Sequence, residues 1–223
     1  MKIVAKTIVF QGDSITDCER NRENDFYQGS GYMRLVSAEL GAAYPGQYRC
    51  FNRGVSGSRI VDMWGRIRMH MIHLEPAYLS ILIGVNDVWH EYTRQNGVDA
   101  EKFEHLYDLI VTELKEELPD TQLILMEPFL LPGSQTENTE EHPDRYDYMR
   151  SEVELRAQAT ARIAEKHNLP FVQLQSLFDE KNAQAPNCWT MDGVHPTAFG
   201  HELIKRQWLK TFETVRKEGK ENG

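Results

Sequence analysis

Four residues of this 223-residue chain combine a reactive side chain with a setting that could present it: Ser14, Asn86, Asp192 and His195. Ser14 lies in Gly12-Asp13-Ser14-Ile15-Thr16-Asp17. A glycine ahead of a serine permits a sharp turn that offers the hydroxyl as a nucleophile, and the same serine could simply cap a helix. In Asn52-Arg53-Gly54-Val55-Ser56-Gly57-Ser58, Gly54 lets a backbone N–H come close to a ligand, or forms an ordinary strand-to-helix turn. Asn86, in Ile83-Gly84-Val85-Asn86-Asp87, carries two amide donors suited to a developing oxyanion, or makes an Asx turn. Asp192 and His195 are three residues apart, just before Pro196 at the first position of a helical pattern. There a carboxylate can fix one imidazole nitrogen while the other takes a proton from a serine. Taken singly, the pair also reads as a cap and a surface histidine. Together the four turns offer a nucleophile, a base with its orienting acid, and donors for a negative charge.

Those turns can cooperate only if the elements between them bring them to one edge. Residues 7–11, 78–83, 121–127 and 169–174 are short apolar runs bounded by turn or polar residues and predict buried strands, with 48–52 as a weaker fifth. Helical patterns alternate with them. From Asp99 to Leu118, Phe103, Tyr107, Ile110, Val111 and Leu114 recur at 3.6-residue spacing between an N-cap aspartate and Pro119. A second stripe holds Leu203, Ile204, Trp208, Phe212 and Val215, and a third runs from Ile60 through Met63, Ile67 and Met71 to Leu74. Residues 32–40 predict a helix ending at Gly41, and 146–166 a more polar one. The alternation predicts an α/β fold: a three-layer α/β/α sandwich, flavodoxin-like, on a five-stranded parallel sheet. Ligands of such sheets bind beyond the carboxyl ends of the strands, where the reactive residues fall. Residues 128–144 are long for a connection and read as a lid or contact surface.

Length and composition set outer limits. The chain is 40% hydrophobic and 26% charged, as for an ordinary globular protein, and 1–223 reads as a single domain. With 25 basic against 34 acidic residues it has no basic footprint for nucleic acid and little attraction for an anionic membrane. No apolar run approaches the roughly 20 residues that span a bilayer. The start, Met1-Lys2-Ile3-Val4-Ala5-Lys6-Thr7, has a lysine where a secretory signal needs apolar residues, which predicts a cytoplasmic protein. Cys18, Cys50 and Cys188 are scattered and odd in number, against a disulfide framework or a zinc cluster.

The blocks Gly12-Asp13-Ser14, Gly54, Gly84-Val85-Asn86-Asp87 and Asp192 with His195, in that order over nearly the whole chain, resemble those of the SGNH hydrolase superfamily, the GDSL esterases. With Asp87-Val88-Trp89 after Asn86, the chain is most similar to small carbohydrate acetylesterases of the acetylxylan-esterase type. The resemblance implies acyl transfer without metal or organic cofactor. In it Ser14 attacks an ester carbonyl, His195 is general base and then acid, and Asp192 orients His195. The Ser14 and Gly54 N–H groups and the Asn86 amide hold the oxyanion. The implied substrate is a small acetylated carbohydrate.

Asp13, Trp89, Tyr92 and Trp189, beside the catalytic blocks, are the substrate-binding candidates; flat aromatic faces suit sugars, though the rings could equally be core. A thioesterase or lysophospholipase of the same superfamily needs a long apolar channel, whereas Asp87-Val88-Trp89-His90-Glu91-Tyr92 and Asn187-Cys188-Trp189 are polar and aromatic. A non-catalytic binding module should lack a catalytic residue, and none is missing. His70 and His73 could share a helix face as metal ligands, but with Asp62 and Arg66 they trace a solvated side. The aromatics and the long middle loop are compatible with a homo-oligomer.

Overall fold

The computed structural model describes residues 5–221; the expectation drawn from residues 1–4 lies outside the described residues. Five parallel strands form one sheet: β1 (Lys6–Gly12), β2 (Tyr48–Asn52), β3 (Tyr78–Leu82), β4 (Gln122–Met126) and β5 (Phe171–Val172), in the order β2-β1-β3-β4-β5. Ile8 is registered between Cys50 and Tyr78, and Leu79 faces Leu123. Strand side chains alternate in direction, so a fully apolar strand must be covered twice. Ile8, Phe10, Ile124 and Met126 face one core with Trp208 and Phe212. Val9, Leu79, Ile81, Leu123 and Leu125 face another with Phe103, Tyr107, Ile110 and Leu114. This is the expected three-layer sandwich.

Two helices cover the first face: α2 (Tyr32–Ala43) and α9 (Ala198–Glu221). On the second lie α3 (Ile60–Trp64), α4 (Ile67–His70), α6 (Ala100–Glu117) and part of α7 (Arg145–His167). The helix α6 begins as the sequence predicts, with Asp99 accepting the Lys102 N–H at 2.9 Å. Short helices α1 (Ser14–Asp17), α5 (Val85–Arg94) and α8 (Gln175–Gln184) follow β1, β3 and β5. No helix among the described residues is long and apolar enough to cross a membrane.

Three expectations are corrected. The stripe from Ile60 to Leu74 is not one helix. It breaks at Gly65 and Arg66 and again at Met71, whose φ of −133° leaves the helical region, before a 3-10 turn at Ile72–Leu74. The apolar period survives because each fragment still docks the same face. Gly41 does not end α2: the helix runs through it to Ala43, and Tyr44 closes it by donating its N–H to Leu40 O at 2.9 Å. The strand expected over 169–174 shrinks to Phe171–Val172, and Gln175 starts α8.

Candidate active site

The carboxyl ends of β1, β2 and β3 meet one loop from the far end of the chain. At the end of β1, Asp13 caps α1, accepting the Ile15 N–H at 3.0 Å, and Ser14 opens the helix. Gly12 has no room for a side chain: a Cβ would lie 2.3 Å from Leu82 O of the adjacent strand. The Ser14 hydroxyl reaches His195 Nε2 at 2.9 Å. His195 Nδ1 lies 2.7 Å from Asp192 Oδ2, while Asp192 Oδ1 accepts the Val194 and His195 N–H groups at 2.9 and 2.8 Å. The carboxylate thus grips both the ring and the backbone of its partner, which fixes the tautomer with Nε2 facing the serine. Three residues 181 positions apart at the extremes form one hydrogen-bonded line.

The Asp192 carboxylate raises His195 above the ordinary imidazole value against the opposing effect of burial. For Asp192 burial favours the neutral acid, yet the bonds from His195 and the two N–H groups outweigh it and hold the carboxyl below its usual range. The His195 side chain is 39% exposed, so the line opens to solvent and to a ligand.

The loop bearing Asp192 and His195 is braced. Thr190 and Pro196 form a bridge, and Met191 donates to His195 O at 2.8 Å. The segment 128–144, expected to be a lid or contact surface, bonds to this loop through its first half. Leu131 donates to Gly193 O at 2.9 Å and Gln135 to Asp192 O at 3.0 Å. Gly193, at φ +103°, is where a side chain cannot go; a Cβ would lie 2.1 Å from Thr136 Oγ1.

Asn86 starts the second turn-side of the site. It is buried in the first turn of α5, and its Nδ2 has no hydrogen-bond partner among the described residues. A buried amide donor left free is a cost that a negatively charged ligand oxygen would remove. Gly54 fits the close-approach expectation, since a Cβ there would meet Asp17 N at 2.3 Å. Its N–H, however, already donates to Asn52 Oδ1 at 3.0 Å.

The sequence analysis gave Asn52 no role of its own. The structure makes it the clamp of the site: Nδ2 donates to Thr16 O at 2.6 Å, Gln28 O at 2.9 Å and Asp17 O at 3.2 Å. A buried asparagine at a strand end, two residues before a glycine, is the signal that pointed there. Asp87 is a second such residue. It is fully buried and accepts the Ile60 N–H on both oxygens, at 3.0 and 3.2 Å, tying α3 to α5. Burial pushes its carboxyl up to about 8.

The substrate-binding candidates divide. Asp13 is 1% exposed, with Oδ2 unpartnered among the described residues. Burial raises it to about 6, opposed by the Ile15 N–H, His195 and Asn86. Trp89, Tyr92 and Trp189 are half-buried against the first core. Tyr92 packs on His142 and Tyr148, each at 5.8 Å between centroids, and Trp189 Nε1 is buried without a partner among the described residues. His73 is exposed and His70 half-buried; no group of three metal-ligating side chains occurs among the described residues.

A parallel α/β/α sandwich thus carries a serine–imidazole–carboxylate line beyond its strand ends. Residues 10–203 match the GDSL-like lipase/acylhydrolase family, and the chain belongs to it. It is a carboxylic ester hydrolase. The chain is 34% identical to an acetylxylan esterase of Geobacillus stearothermophilus over 94% of its own length and 95% of the relative's. The solved structure of an acetylxylan esterase from that organism superposes with a TM-score of 0.80 at 33% identity, covering 95% of this chain and 96% of that one. A GDSL-like lipase from Parabacteroides merdae gives a TM-score of 0.85 at 34% identity, covering 95% and 98%.

Proposed function

We propose that the protein is a serine esterase that removes acetyl groups from small carbohydrates, acetylated sugars or xylo-oligosaccharides, through Ser14, His195 and Asp192. The observation that carries this reading is the unbroken line Ser14 Oγ–His195 Nε2 at 2.9 Å and His195 Nδ1–Asp192 Oδ2 at 2.7 Å, with a buried Asn86 amide that lacks a well-formed hydrogen bond among the described residues. Ser14 Oγ adds to the ester carbonyl as its proton passes to His195 Nε2. The carbonyl oxygen becomes an anion, received by Asn86 Nδ2 and by the Ser14 N–H at the start of α1. Gly54 contributes only by sharing its N–H between the anion and Asn52. The imidazolium, stabilised by Asp192, then protonates the sugar oxygen as its bond to the acyl carbon breaks, so that the sugar leaves as an alcohol and the acetyl stays on Ser14 Oγ. Water, deprotonated by His195, releases acetate and restores Ser14.

The acetylxylan esterases at 33–34% identity support the choice of acyl group and alcohol. The half-buried Trp89, Tyr92 and Trp189 support a sugar ring as the group held, while the burial of Asp13 leaves it little surface to offer that ring. Three free thiols, Cys18, Cys50 and Cys188, accord with a reducing, cytoplasmic setting.

The test is acetate release from a panel of acetylated mono- and oligosaccharides, set beside acyl-CoA, lysolipid and aryl esters of increasing chain length. The expected result is preference for acetylated saccharides, abolished in Ser14→Ala with the fold intact. A preference for acyl chains of eight carbons or more would make the enzyme a thioesterase or lysophospholipase. Activity retained by Ser14→Ala would remove Ser14 as nucleophile.

A further inference from the structure

The turn after β2 is clasped by guanidinium groups that the reaction does not use. Arg20 Nε donates to Gly54 O at 2.8 Å, and Arg66 Nη2 donates to Ser58 Oγ at 2.6 Å. Arg22 Nη2 approaches Asp17 Oδ2 at 3.4 Å, an oxygen that also accepts the Ser56 N–H and hydroxyl at 2.9 and 3.0 Å. Two carboxylates of this region are spoken for. Asp25 is forked onto Arg53 at 2.6 and 3.1 Å, and Asp62 onto Arg59 at 2.8 and 3.2 Å. Arg20 and Arg66 therefore have no carboxylate within ion-pair distance among the described residues and bond only neutral oxygens.

One helical turn from Arg66, His70 presents a second unsatisfied group: Arg66 Nε and His70 Nδ1 are both buried without a partner among the described residues. Burial, with Arg66, Arg20 and Arg53, presses His70 down to about 4, so the ring is neutral at neutral pH and leaves the charge to the arginines. The chain as a whole carries −9, whereas Arg20 and Arg66 bring two positive charges to this turn with no carboxylate bonded to either among the described residues. It also abuts the reaction centre: Val55 of the same turn donates to Gly12 O at 3.0 Å, two residues before Ser14.

We infer that Arg20, Arg22 and Arg66 form a subsite for an anionic substituent of the saccharide, a uronic-acid carboxylate, bound while an acetyl group is presented to Ser14. The inference rests on the saccharide reading above. A planar guanidinium matches a carboxylate two bonds at a time, and a protein of net negative charge would otherwise repel an acidic sugar. Phosphate suits the same fork, so the experiment carries an arm for each.

The experiment compares kcat/KM on an acetylated xylo-oligosaccharide bearing a uronic acid, its neutral counterpart, and an acetylated sugar phosphate. The acidic over neutral ratio is expected to be about tenfold, the size of one charge-assisted contact. It should shrink as salt shortens the screening length from about 30 Å at 0.01 M to about 3 Å at 1 M. In Arg66→Gln the ratio should fall towards one; Arg22→Gln, at an exposed position, should lower it partway and serves if Arg66→Gln misfolds. Equal rates on the acidic and neutral substrates, or a ratio unmoved by both variants, overturns the subsite. Preference for the phosphate arm alone overturns the carboxylate. Calorimetric binding of the unacetylated acidic oligosaccharide to Ser14→Ala separates the two readings. Binding lost with Arg66→Gln upholds the subsite even if no acetylated sugar is cleaved, and absent binding overturns it whatever the hydrolysis.

Discussion

Asn86 carries a sharp expectation. Its Nδ2 is buried with no well-formed hydrogen bond among the described residues, and the Asp13 carboxyl is the group it acts on, so the amide can turn to a carbonyl oxygen on which charge develops. Asn86→Ala should therefore lower kcat by about 10²–10³ while KM for an aryl acetate changes little. An unchanged kcat would take Asn86 out of the oxyanion hole. The His195–Asp192 bond gives a pH signature. On the proposed mechanism the base works as neutral imidazole, and Asp192 favours the protonated form, so His195 gains its proton at a pH above the ordinary value of 6.5. Activity falls as pH drops through that raised value, giving an acid limb above 6.5. Asp192→Asn should shift the limb to lower pH and cut kcat by about 10⁴, as loss of the orienting acid does in such triads. A limb that stays in place would assign it to another group.

Between elements, the buried Asp87 is the joint to examine. It holds its proton to about pH 8 in the folded chain, against 3.8 for a free carboxyl. Between those values the native state binds more protons than the unfolded one, so stability is fullest at the acid end and declines as pH rises towards 8. Asp13, raised to about 6, adds a smaller decline over a lower window. Asp87→Asn cannot ionise and can still accept the Ile60 N–H. Its Tm should fall less between pH 5 and 8 than that of the parent, and parallel slopes would deny Asp87 this role. Such joints were the least legible part of the chain. The strands and α6 could be read because their information is local: an apolar run, a 3.6-residue period, a capping aspartate. The reactive residues could be read because each stands at a turn with a glycine or a proline beside it. Neither source says where a period is cut. The break at Gly65 and Arg66, the passage of α2 through Gly41 and the shortening of β5 follow from docking against the sheet. The reach of Asn52 Nδ2 to the carbonyls of Thr16, Asp17 and Gln28 likewise depends on two turns meeting in space.

Across the whole molecule, the last long helix closes the first core. Trp208 is fully buried, stacks on Phe212 at 4.8 Å, meets Phe10 at 5.0 Å and donates its indole N–H to Ser80 Oγ at 2.9 Å. Trp208→Ala should cost about 3–5 kcal/mol in urea unfolding, from the cavity and the lost indole hydrogen bond together. A loss below about 1 kcal/mol would mean that α9 is dispensable to the core. The loop just ahead of that helix has a different standing. Ser14 is anchored at the end of a central strand, but Asp192 and His195 ride together on a small bridged turn outside the sheet, steadied by residues 131–136. Base and orienter consequently come and go as one piece. Gentle warming that loosens only this appendage would silence hydrolysis while the circular dichroism of the sheet still looked native, and cooling would let the piece settle back and restore turnover.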